Sequence, residues 1–158
     1  MDQKEIMLKV NGEALSVFVQ PTDTLVDVLR EKLDLIGTKK ACDVGDCGAC
    51  TILMDGKPVN SCLILAMDAE GRDIMTIEGL EGKDGTLHPI QEAFIRNGAV
   101  QCGFCTPGMI LSAKALLDEI PNPTEEDVRQ GLAGNLCRCT GYAKIVEAVL
   151  DAARMTHS

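Results

Sequence analysis

The stretch of sequence that decides the fold is ACDVGDCGACT, at residues 41–51. It holds Cys42, Cys47 and Cys50 in the spacing C-x4-C-x2-C, and Cys62 extends this first set as C-x11-C. The other four cysteines form a second set, spaced C-x2-C-x31-C-x-C: Cys102, Cys105, Cys137 and Cys139. Two sets of four thiols predict two metal sites, each with four cysteine ligands.

The spacing of the first set is that of plant-type ferredoxins, in which four thiolates hold a 2Fe–2S cluster. Such an anionic cluster needs backbone N–H groups aimed at its sulfurs, and Gly45 and Gly48 allow the chain to wrap with positive φ angles. Zinc is an alternative, although it favours paired C-x2-C knuckles and the second set has only one such pair. Disulfides, or a redox-active pair with two core thiols, are further alternatives that the spacing alone leaves open.

Composition argues against several classes of protein. The chain has 158 residues, with 24 acidic and 15 basic side chains and a formal net charge of −9. This acidic balance, without a basic run, disfavours nucleic-acid binding. No apolar run approaches the ~20 residues of a membrane span, and the start MDQKE lacks the features of a secretory signal. We therefore expect a cytoplasmic protein with reduced cysteines.

The first half of the chain has the pattern of β-strands. Apolar residues alternate on both sides of Asn11-Gly12, which predicts a β-hairpin with a type I′ turn. A second hairpin is predicted around Asp55-Gly56, and a short last strand around Ile74. Between the hairpins we expect a helix capped by Thr22, followed by the cysteine loop. These elements predict a first domain over residues 1–79.

The second half has the pattern of helices. Residues 79–85 contain three glycines and three charges and predict a linker. Helices are expected to begin at Pro89, at Thr106 as a cap before Pro107, and at Thr124, and a fourth follows near Ile145. Four short helices with short loops predict a bundle over residues 86–158. The second cysteine set lies in two interhelical loops that can converge at one end.

Three motifs together resemble a known family. The run at 41–51, QCGFCTPG at 101–108 and GNLCRCTGY at 134–142 resemble the iron–sulfur subunit of the molybdenum hydroxylases. This family includes xanthine dehydrogenase, aldehyde oxidoreductase and carbon monoxide dehydrogenase, and the resemblance spans Ile6 to about Ala153. It implies an α+β protein, in which a plant-ferredoxin-like β-grasp domain precedes a four-helix bundle and each domain holds one 2Fe–2S cluster. One departure is Ala41, where the family usually has glycine.

The resemblance also implies roles for particular residues. All eight cysteines would be metal ligands: Cys42, Cys47, Cys50 and Cys62 for one cluster, and Cys102, Cys105, Cys137 and Cys139 for the other. The second cluster would lie nearest a molybdopterin centre on a large partner subunit, and the first towards FAD on a medium subunit or another acceptor. Gln101 matches the glutamine that hydrogen-bonds the pterin, and Cys139 is a second candidate for that contact.

We therefore expect an electron-transfer subunit of a molybdenum hydroxylase complex, with no catalytic residue of its own. The complex is expected to hydroxylate an N-heterocycle or purine, or to oxidise an aldehyde. A free-standing ferredoxin-type electron carrier is the first alternative, and a zinc-binding interaction module is the second. His88 is expected to cap a helix or lie at the surface, and Tyr142 to serve packing.

Overall fold

The computed structural model describes residues 3–156, and in that range a five-stranded sheet, with one short helix between its second and third strands, precedes four further helices. The strands are β1 (Lys4–Val10), β2 (Glu13–Val19), β3 (Thr51–Met54), β4 (Lys57–Asn60) and β5 (Asp73–Met75). Their order across the sheet is β2-β1-β5-β3-β4, and every neighbouring pair is antiparallel except the parallel pair β1 and β5. The fold is thus α+β, with a ferredoxin-like first half.

Both predicted hairpins are confirmed. In the first, Ile6 faces Val17 and the turn residues Asn11 and Gly12 have φ angles of 52° and 83°. Positive φ at both central positions defines the type I′ turn, whose twist matches that of the flanking strands. Alternation along β1 buries the side chains of Ile6 and Leu8 beneath the sheet. The sequence pattern therefore sets both the register and the buried face.

The helix after the first hairpin differs from the prediction. Helix α1 covers only Leu25–Asp27 and continues as a wider π-helical turn over Val28–Lys32. Thr22 is not its cap: the hydroxyl of Thr24 accepts the hydrogen bond from the Asp27 N–H at 3.4 Å. The prediction was wrong because residues 20–23 form a separate turn, in which the Asp23 carboxylate accepts from the backbone N–H of residue 20 at 2.8 Å.

The second half contains four helices: α2 (Pro89–Arg96), α3 (Thr106–Glu119), α4 (Glu125–Gly131) and α5 (Ala143–Thr156). His88 caps α2, as predicted, through a hydrogen bond from the Ile90 N–H to its ring nitrogen Nδ1. Thr124 caps α4, also as predicted. Thr106 does not cap α3, because Cys105 is already in a helical conformation and accepts the first helical bond, from Met109 N–H.

Two apolar cores lie beneath the two halves. One is formed by the sheet with α1, and the other by the four later helices. Leu53 of β3 packs against Leu111 and Ala115 of α3, and this contact joins the halves. Leu80, inside the predicted linker, is buried in the helical core, so the chain enters that core soon after the short 3-10 turn Ile77–Gly79.

Two further 3-10 turns cover Ser61–Leu63 and Ala66–Ala69, and Cys62 lies in the first of them.

Among residues 3–156, no helix is long and apolar enough to cross a lipid bilayer.

Candidate metal centres

The first cysteine set is brought together by one loop and one turn. Cys42, Cys47 and Cys50 lie in the irregular segment before β3, and Cys62 lies in the turn after β4. The side chains pair as Cys42 with Cys47 and Cys50 with Cys62, and Cys42 also interacts electrostatically with Cys62. Cys50 and Cys62 are only 3% and 7% exposed. All four predicted residues therefore meet, with one pair more buried than the other.

Backbone N–H groups point at these sulfurs. The N–H of Cys47 donates to Cys42 Sγ at 3.4 Å, and the N–H of Ala49 donates to Cys47 Sγ at 3.4 Å. Hydrogen bonds from the backbone of Val44 and Cys47, together with the Cys47 side chain, lower the pKa of Cys42 to about 6. Burial, followed by the neighbouring Cys50, raises the pKa of Cys62 to about 11. The loop thus stabilises one thiolate in advance, whereas Cys62 needs a bound cation to ionise.

Two glycines in the loop cannot be replaced without strain. Gly45 has a φ of +81°, and a Cβ there would lie 2.5 Å from Leu63 Cδ1. Gly48 has a φ of +72°, and a Cβ there would lie 2.3 Å from the carbonyl oxygen of Gly134. The predicted need for glycine in a wrapping loop is therefore met, and close packing adds a second reason for it.

The second set is assembled from two loops that are distant in sequence. Cys102 and Cys105 precede α3, and Cys137 and Cys139 precede α5. The side chains pair as Cys102 with Cys139 and Cys105 with Cys137. Cys102 and Cys139 are exposed, whereas Cys105 and Cys137 are partly buried. The two loops therefore converge as predicted, with one pair facing outwards.

The inner pair has opposite pKa shifts. Burial, followed by the hydrogen bond to Cys137, raises the pKa of Cys105 to about 12. Burial also opposes ionisation of Cys137, but hydrogen bonds from Thr140, the Cys139 backbone and Cys105 together lower the pKa of Cys137. The Thr140 hydroxyl donates to Cys137 Sγ at 3.1 Å, and the Thr140 N–H donates to the same sulfur at 3.4 Å. At the outer pair, the hydrogen bond with Cys102 raises the pKa of Cys139.

Two neighbours of this second set were not assigned site roles from the sequence. Thr140, described above, could have been recognised because it directly follows the C-x-C ligand pair. Tyr142 packs against the helical core as predicted, and its phenol oxygen also accepts from the Cys137 N–H at 3.0 Å. Tyr142 has a φ of 70°, a conformation that few side chains adopt. Nothing in the sequence signals that conformation.

The donor set of each site fits a cluster with two metal atoms. Each set consists of two close cysteine pairs, as the pairings above show. In a 2Fe–2S cluster each iron takes two of the four thiolates. The donor chemistry, with four sulfurs and nearby N–H groups, suits that cofactor.

Gln101 lies at the surface directly before Cys102, beside the exposed pair of cysteines. Phe104 in the same loop is 45% exposed, and Leu136 in the facing loop is 55% exposed. An apolar, outward-facing rim therefore accompanies Gln101 and Cys139, the two residues predicted to meet a pterin on another subunit.

Comparison with protein families matches both halves of the chain. Residues 8–75 match the 2Fe-2S iron-sulfur cluster binding domain, and residues 76–150 match the 2Fe-2S binding domain. The two matches meet at residues 75 and 76, where β5 ends.

Individual relatives are similar over nearly the whole chain. The nicotine 6-hydroxylase small subunit of Paenarthrobacter nicotinovorans is 56% identical, over 96% of this chain and 90% of its own. The nicotinate dehydrogenase small FeS subunit of Eubacterium barkeri is 50% identical, over 94% of each chain. The crystal structure of quinoline 2-oxidoreductase from Pseudomonas putida 86 contains a chain with a TM-score of 0.94 and 44% identity, covering 98% of this chain and 96% of that one.

Proposed function

This chain belongs to the iron–sulfur subunits of the molybdenum hydroxylases, and on that basis we propose which of its residues carry electron transfer and what its complex acts on. The chain has two 2Fe–2S-binding domains and is the electron-transfer subunit of an oxidoreductase complex. A 2Fe–2S cluster takes up and releases one electron at a time. The substrate chemistry takes place on the large molybdopterin subunit.

The proposed ligands of the first cluster are Cys42, Cys47, Cys50 and Cys62, and those of the second are Cys102, Cys105, Cys137 and Cys139. The observation that carries this assignment is that the thiols of each set interact with one another, across one loop and one turn in the first set and across two interhelical loops in the second. In each set, one thiol has a lowered pKa and another has a pKa raised by burial. The lowered pKa values of Cys42 and Cys137 favour the thiolate, which is the form of cysteine that binds a metal.

Metal content and spectroscopy test this assignment. We expect the purified chain to hold about four iron atoms and about four acid-labile sulfides, as two 2Fe–2S clusters require. Its dithionite-reduced form should give two distinct electron paramagnetic resonance signals. Zinc without sulfide would support the interaction module instead. Two clusters in a chain that never co-purifies with a larger subunit would support the free electron carrier.

We place the second cluster on the molybdenum side. Its outer pair, Cys102 and Cys139, is exposed and flanked by Gln101 and the apolar side chain of Phe104. Gln101 and Cys139 are the proposed pterin contacts. The first cluster would then pass electrons to FAD on a medium subunit, and its loop also presents an exposed apolar side chain, that of Val44.

Replacing Gln101 tests that orientation. Gln101→Ala should leave iron content and both resonance signals unchanged, because no sulfur ligand is altered. Reduction of the clusters by substrate in the complex should slow, since one predicted polar contact to the pterin is lost. Stopped-flow bleaching of the cluster absorbance measures that rate. Gln130→Ala is a matched control, because the side chain of this exposed glutamine donates to Glu126 Oε1 within α4 at 2.9 Å. Equal bleaching rates in both variants would show that Gln101 does not make the proposed contact with the pterin.

An N-heterocycle is the proposed substrate of the complex. The support is that the relatives are named for nicotine, nicotinate and quinoline. Other relatives at 47–49% identity are named for xanthine and aldehydes, so the purine and aldehyde alternatives have parallel support. Assay of the purified complex with nicotinate, a purine and an aromatic aldehyde, with cluster bleaching as the readout, distinguishes them. Bleaching by the aldehyde alone would overturn the proposal.

The finer architecture and location are proposed on similar grounds. The four helices that share one core support a four-helix bundle over residues 86–158, after a β-grasp domain over residues 1–79. The residues between, with their turn from Gly82 to Gly85, would be the linker. A cytoplasmic location is supported by the eight cysteines proposed as thiolate ligands, because such cysteine sets in a reducing compartment bind metal and do not form disulfides.

A further inference from the structure

A buried asparagine lies between the two cysteine loops. Asn135 is 5% exposed and sits two residues before Cys137. Its Nδ2 donates to the carbonyl oxygen of Gly48 at 3.0 Å and to Thr51 Oγ1 at 3.1 Å. Its Oδ1 accepts from Ser112 Oγ on α3 at 2.7 Å. One side chain therefore ties the first cysteine loop, the start of β3 and helix α3 together.

The backbones around Asn135 approach very closely. A Cβ on Gly108 of α3 would lie 2.5 Å from the Gly48 carbonyl oxygen. A Cβ on Gly48 would lie 2.9 Å from the Cα of Asn135. Because Gly48 and Gly108 have no side chains, the backbones around Asn135 can pack in close contact, and its amide reaches its partners.

A backbone hydrogen bond follows directly from this packing. The N–H of Leu136, next to Asn135, donates to the carbonyl oxygen of Cys47 at 2.9 Å. Cys47 is a proposed ligand of the first cluster, and Leu136 is followed by Cys137, a proposed ligand of the second. A path from Cys47 to Cys137 through this hydrogen bond therefore crosses only a few covalent bonds at either end.

We propose that Asn135 is a positioning residue for electron transfer between the two clusters. It clamps the loop before Cys137 against the loop that ends at Cys50, and so holds the Leu136–Cys47 hydrogen bond in place. The inference rests on the proposed ligand assignment. It goes further, because it assigns an effect on the rate of electron transfer between the clusters to a buried residue that binds no metal.

The chemistry of the side chain explains why asparagine suits this position. It must donate to a carbonyl and a hydroxyl and also accept from a hydroxyl, and a neutral amide does both. A carboxylate would face the Gly48 carbonyl with like charge, and an apolar residue would leave buried polar groups unpaired. Thr51 Oγ1 also donates to the Gly48 carbonyl at 2.6 Å, so part of the network survives loss of the amide.

Three variants test the proposal. Asn135→Leu removes the amide and keeps the neutral charge, the branching and the number of side-chain heavy atoms. Gly108→Ala leaves Asn135 in place and inserts a methyl group between the loops. The control is Asn97→Leu, because Asn97 makes two similar bonds, to the Ala93 carbonyl at 2.8 Å and the Asp151 carboxylate at 3.0 Å, within the helical half.

The measurements use the full chain and its complex. The magnetic interaction between the two reduced clusters is read from the splitting of their resonance signals, and the transfer rate from pulse radiolysis. We expect Asn135→Leu and Gly108→Ala to keep both clusters but to reduce the splitting and slow transfer several-fold. Asn97→Leu should lower thermal stability and leave both readouts unchanged, so that loss of stability alone is distinguished from loss of positioning.

The outcomes are decisive in either direction. Unchanged splitting and transfer rate in Asn135→Leu, with both clusters retained, would overturn the proposal. If Asn135→Leu fails to fold, Gly108→Ala decides, and unchanged readouts in that variant would overturn it equally. Absence of iron and sulfide from the unmodified chain would instead refute the ligand assignment, and so the two failures are distinguishable.

Discussion

The two cysteine sites differ in how the chain builds them. The first is mainly local, since Cys42, Cys47 and Cys50 fall in one loop and the fourth proposed ligand, Cys62, lies in the turn after β4. The second joins loops that precede α3 and α5, and thus depends on how the helices pack. A local site needs correct backbone conformation, whereas a non-local site needs a folded core. The two sites therefore have the same four thiols, but the first depends on the conformation of one loop and the second on the packing of the helices.

Burial differs in a corresponding way. The first site buries the pair Cys50 and Cys62, whereas the second exposes the pair Cys102 and Cys139. A cluster with an exposed edge can approach another subunit's cofactor, but it is also open to water. The comparison indicates that the second site depends more on its partner for protection.

The largest expected effect comes from removing a ligand at one site. Cys47→Ser should abolish the first cluster and spare the second, because the ligand sets do not interleave in sequence. Iron should fall from about four to about two atoms per chain. The remaining resonance signal should be that of the second cluster. Cys105→Ser is the matched variant and should leave the other signal. Loss of all iron in either variant would show that the two sites do not form independently.

The next effect comes from weakening the helical core. Phe94 is fully buried there, and Phe94→Ala should destabilise the chain by about 3–5 kcal/mol through lost burial and a cavity. Because the second site depends on this core, its resonance signal should disappear first on heating. Leu8→Ala in the sheet core, with an expected cost of about 2–5 kcal/mol, is the counterpart. If both variants lost the two signals in the same order, the proposed contrast would be wrong.

A smaller effect is expected from removing one hydrogen bond to a cysteine sulfur. Thr140→Val removes the hydroxyl that donates to Cys137 Sγ and keeps the side-chain shape. Hydrogen bonds to cluster sulfurs stabilise the reduced, more negative state, so the midpoint potential of the second cluster should fall. The potential of the first cluster should stay constant. Redox titration followed by electron paramagnetic resonance measures both values, and an equal shift in both would contradict a local hydrogen-bond effect.

The smallest effect concerns pH and the cap of α2. Burial, followed by the positive charge of Lys114, lowers the pKa of His88, while Asp118 acts in the opposite direction. The folded state therefore favours neutral His88. Its stabilising effect is complete above the unfolded-state pKa of about 6.5 and is lost as the pH falls through the lower folded-state pKa.

His88→Asn tests this effect, because asparagine keeps a side-chain acceptor for the Ile90 N–H but does not titrate in this range. Thermal unfolding near pH 7.5 and near pH 5.5 should show a larger loss of stability in the unmodified chain than in the variant. Parallel losses in both proteins would show that His88 does not contribute to the pH dependence.

Much of the fold was predictable because its signals are local. Alternation around Asn11-Gly12 gave the hairpin and its register, since a one-residue shift would turn the apolar side chains outwards. Pro89 and Thr124 marked helix starts through backbone chemistry that needs only neighbouring residues. The predicted caps at Thr22 and Thr106 failed because competing local turns shifted each helix start by one or two residues.

By itself, the sequence determined the grouping of the eight cysteines and the order of strands before helices, because spacing and periodicity are properties of the linear chain. Only the tertiary structure decided which cysteines pair, which pair faces outwards, and that Asn135 bridges Gly48 and Ser112. The contacts of Asn135 join residues far apart in sequence. They exist only where the sheet and α3 pack together, and no local pattern specifies that geometry.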